Sequence, residues 1–171
     1  VAIVITAPND WEKREAPGIF LAGGISQCPD WQERAIEALH NQDIVLLNPR
    51  RPGMTFRDFD HTVGRQQITW EYTNLRKADA VCFWFPQYTE CPITLYELGA
   101  WARDEKPIIV GTEGHWYSRR FDVVEQLRLA RPGLVVTKTF ELFLKDLTHL
   151  AKHLPRRVER PFIREMKEGP W

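Results

Sequence analysis

Six consecutive residues, Ala80-Val-Cys-Phe-Trp-Phe85, are apolar with no polar alternation. A strand with one face in water alternates; a strand buried on both faces does not. This run therefore predicts the centre of a parallel sheet covered by helices on both sides. The rest of the chain agrees. Apolar or β-branched runs at Val1-Ala-Ile-Val-Ile-Thr6, Gly18-Ile-Phe-Leu-Ala22, Asp43-Ile-Val-Leu-Leu-Asn48, Pro107-Ile-Ile-Val110 and Leu134-Val-Val-Thr137 read as further strands. Between them, helices are expected at residues 31–40, 66–77, 92–103, 121–129 and 140–154, the first with Asp30 as its N-cap. Residues 50–65 read as a long polar loop. Alternating strands and helices imply right-handed crossovers and a layered α/β fold. With 171 residues, no repeat and no linker, the chain reads as one domain, 1–171, with a Pro-containing tail from about residue 155.

Composition narrows the function. Lys plus Arg and Asp plus Glu are 23 each, so the formal net charge is zero. A general nucleic-acid binder needs a basic excess or patch. The short cluster Arg156, Arg157 and Arg160 is interrupted by Glu159 and reads as a solvated tail. Cys28, Cys82 and Cys91 are odd in number and lack zinc-ligand spacing, so neither a disulfide framework nor a metal site is expected. The opening apolar residues have no basic flank and are too few for a signal peptide or a membrane span. No membrane association is expected, and the expected location is a reducing cytoplasm.

Parallel sheets bind ligands beyond the carboxyl ends of their strands. That rule selects residues 23–31, 48–64, 85–97 and 111–122. Gly23-Gly24 follows a strand, where it admits a ligand close to the backbone or simply forms a tight turn. It is not a dinucleotide fingerprint. Arg50 and Arg51 are placed to hold a phosphate or the acceptor edge of a base, or are surface charges. Asp58, Asp60 and His61 superficially suggest metal ligands but read better as solvated loop residues, and His115 as a lone loop histidine.

The strongest signal is Cys91-Pro-Ile-Thr-Leu-Tyr-Glu97-Leu-Gly99, which follows the central strand and opens a helix. A carboxylate there sits at the mouth of the sheet, near a helix's positive end, and is expected to stay ionised and nucleophilic. The same spacing, Thr94 to Glu97, also matches a capping box, in which Glu97 would only bond back to a backbone amide. Glu71, on the preceding helix, is either a second carboxylate at the same rim, able to divide acid/base and nucleophile roles, or an exposed helical residue. Asp79 reads as a helix-end or turn residue.

Phe20-Leu-Ala-Gly-Gly24, Asp30-Trp31, Asn48-Pro-Arg-Arg51, Trp70-Glu71, Ala78-Asp79, Phe83-Trp-Phe-Pro86 and Thr94-Leu-Tyr-Glu-Leu-Gly99 occur in this order. Together they resemble the nucleoside 2-deoxyribosyltransferase superfamily, in its divergent deoxyribosyltransferase-like branch. The resemblance spans roughly residues 18–150. It implies a flavodoxin-like (Rossmann-like) three-layer sandwich around a parallel sheet of about five strands. It also implies a retaining mechanism without cofactor or metal. Glu97 matches the family's nucleophilic glutamate, which forms a glycosyl-enzyme ester. Glu71 matches an acidic residue, usually Asp, that helps protonate the departing base. Members assemble as dimers or larger oligomers, and a neighbouring subunit lends a residue to the sugar 5′ group; Asp122 is the nearest match. Trp116, Tyr117 and Phe121 supply aromatic surface for such contacts. Gly23, Gly24, Cys91 and Thr94 are expected at the substrate, and Ile25, Trp31, Arg50 and Phe85 along the base side.

Two departures stand out. Transferases often carry Asp a few residues before the nucleophile, where this chain has Cys91 and Pro92, and Glu71 replaces the usual Asp. Three readings follow. One is cleavage of a nucleoside with transfer to another base or to water. Another is an N-glycosidase of nucleoside 5′-monophosphates, favoured by Arg50, Arg51, Arg119 and Arg120 and disfavoured by Asp122. The last is a nucleotide-binding module that has lost turnover.

Overall fold

The computed structural model describes residues 1–12, 16–53 and 61–156. Six parallel strands form one sheet in the order β1-β3-β2-β4-β5-β6. They are β1 (Ile3–Thr6), β2 (Gly18–Gly23), β3 (Val45–Asn48), β4 (Ala80–Phe85), β5 (Ile108–Thr112) and β6 (Val136–Thr137). The helices are α1 (Trp31–Leu39), α2 (His61–Lys77), α3 (Pro92–Trp101), α4 (Arg120–Ala130) and α5 (Phe140–His153), with a short 3₁₀ turn at Gly114–Trp116. Taken from β2 onward, the strand order is that of the flavodoxin-like sheet; β1 adds a sixth strand beyond β3.

The apolar run of β4 is explained by its two partners and two faces. Val81, Phe83 and Phe85 join Phe20, Ala22 and the apolar sides of α2, α3 and α4 in one core. Ala80, Cys82 and Trp84 join Ile19, Leu21 and the buried residues of α1 and α5 in the other. Alternate side chains of the same strand thus enter two different cores, and neither face has a place for a polar residue. The helix starts follow local chemistry. Asp30 caps α1 by accepting from the Glu33 amide at 3.0 Å, and Thr139 caps α5 from the Leu142 amide at 3.3 Å. Pro92 opens α3, where a missing N–H costs nothing. Asp79 holds the start of β2 by accepting from the Gly18 amide at 2.7 Å.

The main departure from the sequence expectation is α2. It begins at His61, not at residue 66. Gly64 punctuates the sequence as a loop residue would, yet in the structure it is a buried helical residue. The extra turn adds residues 61–65 to the helix. Asp58 and Asp60, and the arginines at 157 and 160, lie outside the described residues. Arg156 is described and pairs with Asp43. Among the described residues no helix is long and apolar enough to cross a membrane.

Gly23 is required by packing. A Cβ there would lie 2.4 Å from the Trp84 carbonyl oxygen and 2.5 Å from the Trp31 ring. Gly23→Ala is expected to destabilise the protein by about 1–3 kcal/mol, the usual cost of overpacking. Gly99→Ala, in α3 with nothing within 4 Å of its Cβ position, is expected to stabilise it by up to about 1 kcal/mol. Thermal unfolding of the two variants beside the parent checks both signs.

Candidate active site

The flavodoxin-like order reverses direction at β2 and β4, and a crevice forms where such neighbours send their connections to opposite sides. Here it is a cavity of about 500 Å³, within the range of small-molecule sites. Phe20 and Ala22 of β2 form its floor. The loop from Gly23 to Gln27, Pro49 after β3, the α2 face bearing Gln67, Ile68 and Glu71, and the segment from Thr89 through Thr94 with Glu97 complete its lining. A wider cleft of about 1300 Å³ adjoins it, sharing Ile25, Ser26 and Gln27.

Among the described residues two non-glycines adopt left-handed backbone, Gln27 at φ 59° and Cys91 at φ 50°. Both line this cavity. Such conformations cost on the order of 1–3 kcal/mol and concentrate at functional sites. At Cys91 the local bonds are visible: its amide donates to Thr89 Oγ1 at 3.4 Å, its thiol to the Thr89 carbonyl at 3.5 Å, and its own carbonyl accepts from the Leu95 amide at 2.9 Å. Burial pushes the Cys91 thiol up to about 12, so it stays protonated at neutral pH.

The start of α3 excludes a capping box at Glu97. With Cys91 as N-cap and Pro92 as the first helical residue, Thr94 is already inside the helix and buried. A capping box between Thr94 and Glu97 would need the helix to begin after Thr94, so that reading fails. The first turn of α3 contains no acidic residue. Glu97 falls in the second turn, beyond the short reach of the helix dipole. It lines the cavity instead, and its carboxylate makes no hydrogen bond or ion pair with another described residue.

Its protonation therefore differs from the sequence expectation of a dipole-stabilised anion. Burial, and then the nearby Glu71 charge, push the Glu97 carboxyl up to about 8. Burial also raises Glu71, but the Gln67 side chain, donating at 2.8 Å, and the Arg51 guanidinium favour its ionised form. Among the described residues the donors thus serve Glu71 and not Glu97, which favours charge on Glu71 over charge on Glu97.

Gly23, Gly24, Ile25, Cys91 and Thr94 also meet at the cavity with Glu97 and Glu71. The two glycines do so through their backbone. The space their side chains would fill is taken by Trp31 and Trp84 at Gly23, and by Pro86 and Thr89 at Gly24. Trp31, Arg50, Phe85 and Asp122 are placed elsewhere. Trp31 belongs to α1, on the opposite face of the sheet, where its ring meets Phe140 and Phe143 edge-on and its N–H donates to the Gly24 carbonyl at 3.0 Å. Phe85 is fully buried against Tyr117, ring centroids 5.1 Å apart. Arg50 borders the wider cleft with its Nε and Nη2 donors engaged by the loop before α1 and by the first turn of α1. It bonds Gln32 at 3.0 Å, the carbonyls of Gly24 and Pro29 at 3.3 and 3.2 Å, and Asp30 at 3.3 Å. Asp122 is exposed on the first turn of α4, 3.7 Å from Arg119. Gln67 and Ile68 are among the lining residues that sequence reasoning missed. The available signal was the spacing of Gln67 from Glu71, one helical turn apart on the expected helix. Among the described residues no group of three or more His, Cys, Asp or Glu side chains is placed to hold a metal ion.

The raised Glu97 carboxyl has a stability consequence. The folded protein holds this proton more tightly than the unfolded chain, so stability is greatest below the ordinary carboxylate pKa and falls as pH rises toward about 8. Glu97→Gln removes the penalty. The variant is expected to match the parent near pH 4 and to exceed it above pH 8 by on the order of a few kcal/mol. Denaturant unfolding across that range measures the gap.

No curated protein matches the chain closely enough to serve as a relative. A family model described as nucleoside 2-deoxyribosyltransferase like matches residues 16–115, more than half of the sequence and every segment that lines the cavity. The chain belongs to the nucleoside 2-deoxyribosyltransferase-like family.

Proposed function

We propose that the protein cleaves the N-glycosidic bond of a nucleoside through a covalent intermediate on Glu97, and passes the sugar to another nucleobase or to water. The observation that carries this reading is the pairing of Glu97 and Glu71 on one cavity of about 500 Å³ at the switch point of the sheet. A lone buried carboxylate is an electrostatic liability. Two, of which one lacks any bond to another described residue, are a nucleophile and a proton carrier waiting for a substrate.

The chemistry runs in two balanced halves. The Glu97 carboxylate attacks the anomeric carbon as the carbon–nitrogen bond breaks, forming an ester. The electron pair leaves with the base, which takes a proton from Glu71. In the second half, Glu71 removes a proton from the incoming base or water, which attacks the same carbon and releases Glu97. The competent form thus carries its proton on Glu71.

Asp122 fits a neighbour's site better than its own. It is exposed, outside its own cavity, and next to exposed Trp116 and Phe121, while Ile93 and Tyr96 present apolar surface on α3. A homo-oligomer in which Asp122 reaches the sugar 5′ group of an adjoining site follows from this reading. Arg51, the cation acting on Glu71, is the feature that favours the rival reading of a 5′-monophosphate substrate.

Glu97→Gln is expected to stay folded and to lose turnover by several orders of magnitude, since an amide cannot form the ester. Glu71→Ala is expected to slow cleavage of natural nucleosides by about 10²–10⁴-fold, while largely sparing the first step with a deoxyriboside of p-nitrophenol, whose leaving group needs no proton. Rapid-mixing kinetics on both substrates checks the contrast. Equal losses would make Glu71 a structural residue, and near-normal turnover of a folded Glu97→Gln variant would remove the nucleophile.

Light scattering at micromolar concentration is expected to show an oligomer. Nucleosides are expected to outperform their 5′-monophosphates, because a carboxylate at Asp122 accepts from a hydroxyl and repels a phosphate. Asp122→Asn should narrow that gap. A monomer, or a native preference for monophosphates, would take this role from Asp122.

A further inference from the structure

Gln67 stands one helical turn before Glu71 on α2 and is almost fully buried, 3% exposed. Its Nε2 donates twice, to the Pro49 carbonyl and to Glu71 Oε1, both at 2.8 Å. A backbone carbonyl only accepts, so the Pro49 bond settles which end of the amide is nitrogen. The amide oxygen is buried without a partner in the unliganded protein. Turning the amide over to accept from a protonated Glu71 would break the Pro49 bond and set two acceptors against each other. Gln67 is therefore fixed as a donor, and a fixed donor favours the ionised form of the carboxylate it serves.

Among the described residues Glu97 has no such help. The other charged group acting on Glu71 is Arg51, from the segment after β3, and it works in the same direction as Gln67. The charged group acting on Glu97, from α2, is Glu71 itself. Burial makes the pair retain a proton, and the unequal distribution of donors decides where it sits.

We infer that Gln67 is a positioning residue that keeps the charge on Glu71 and the shared proton on Glu97 in the unliganded protein, so that the nucleophile is masked until a ligand brings a lone pair to Glu71. The second half of this inference rests on the proposed roles of the two glutamates; the first half does not. A nucleobase ring nitrogen bearing a lone pair cannot lie against an ionised carboxylate without a proton between them. Its arrival draws that proton to Glu71. The O–H bond of Glu97 breaks and an O–H bond forms on Glu71, so the pair holds the same number of protons before and after. Masking limits attack by Glu97 in an empty or wrongly filled cavity, and the ligand's own base supplies the trigger.

The test is a titration of the glutamate side-chain carboxyls by carbon-13 NMR in the unliganded full chain. Glu71 is expected to lose its proton at lower pH than Glu97, and the Gln67 side-chain amide protons to shift with the Glu71 midpoint. Gln67→Met keeps the volume and removes both donors. It is expected to raise the Glu71 midpoint and lower that of Glu97 by about one pH unit, as the proton moves across. In a Glu71→Gln background the same Gln67→Met change is expected to leave Glu97 where it is, because the effect passes through Glu71. The inference is overturned if Glu71 holds the proton at neutral pH in the parent protein, or if Gln67→Met moves Glu97 equally in both backgrounds. Should Gln67→Met fail to fold, the order of titration in the parent decides alone. None of these readings depends on turnover, so a failure of the nucleophile assignment in the kinetic experiments remains distinguishable.

Discussion

Strands β2 and β4 pair from Ile19 with Ala80 to Gly23 with Trp84, and at the last of these pairs the backbones and the Trp31 ring leave no room for a side chain on Gly23. Everything at the cavity depends on that close approach. It brings the loop after β2 against the loop after β4, with the Gly24 amide donating to the Trp84 carbonyl at 3.4 Å and Pro86 against Gly24. The Gly24 carbonyl then serves as a second anchor, accepting from Trp31 and Arg50. With both loops tied back in this way, the space above Phe20 and Ala22 stays open, and α2 and α3 close its sides. Arg50 and Trp31 both hold this framework through the Gly24 carbonyl.

The helices that flank the cavity deliver two carboxylates into an environment that penalises both. Glu71 recovers part of that cost from Gln67 and Arg51; Glu97 recovers none from the described residues. The strained backbone at Gln27 and Cys91 sits on the same walls. Stability is thus given up repeatedly in one small region, and the two cores on either side of the sheet supply it. Concentrated local cost against a well-packed scaffold is what a site of reaction looks like physically.

Much of this was legible in the residues alone. The continuous apolar run of β4, the alternation of strands with helices and the Asp30 cap all express short-range chemistry, and all appear in the structure. The placement of Glu97 beyond the carboxyl end of β4 followed from the same pattern. The α2 start was misread because Gly64 carries a local loop signal that tertiary burial overrides. Trp31 and Phe85 were expected at the ligand because both lie near strand ends in sequence. As the first residue of α1, Trp31 packs in the core between the sheet and α1 and α5, and the Tyr117 ring covers Phe85.

The sequence by itself determined the parallel α/β layers and the family resemblance, because periodicity and motif spacing are properties of neighbouring residues. Only the tertiary structure decided that Glu97 is free of a capping role, that Arg50 is spent on the loop before α1, and that Gln67 is locked as a donor to Glu71. The reason is the same in each case. Which partner satisfies a polar group, and how much water it loses, depends on segments far apart in the chain. Pro49 meets Gln67, and Glu71 influences Glu97, through a fold that no local pattern records.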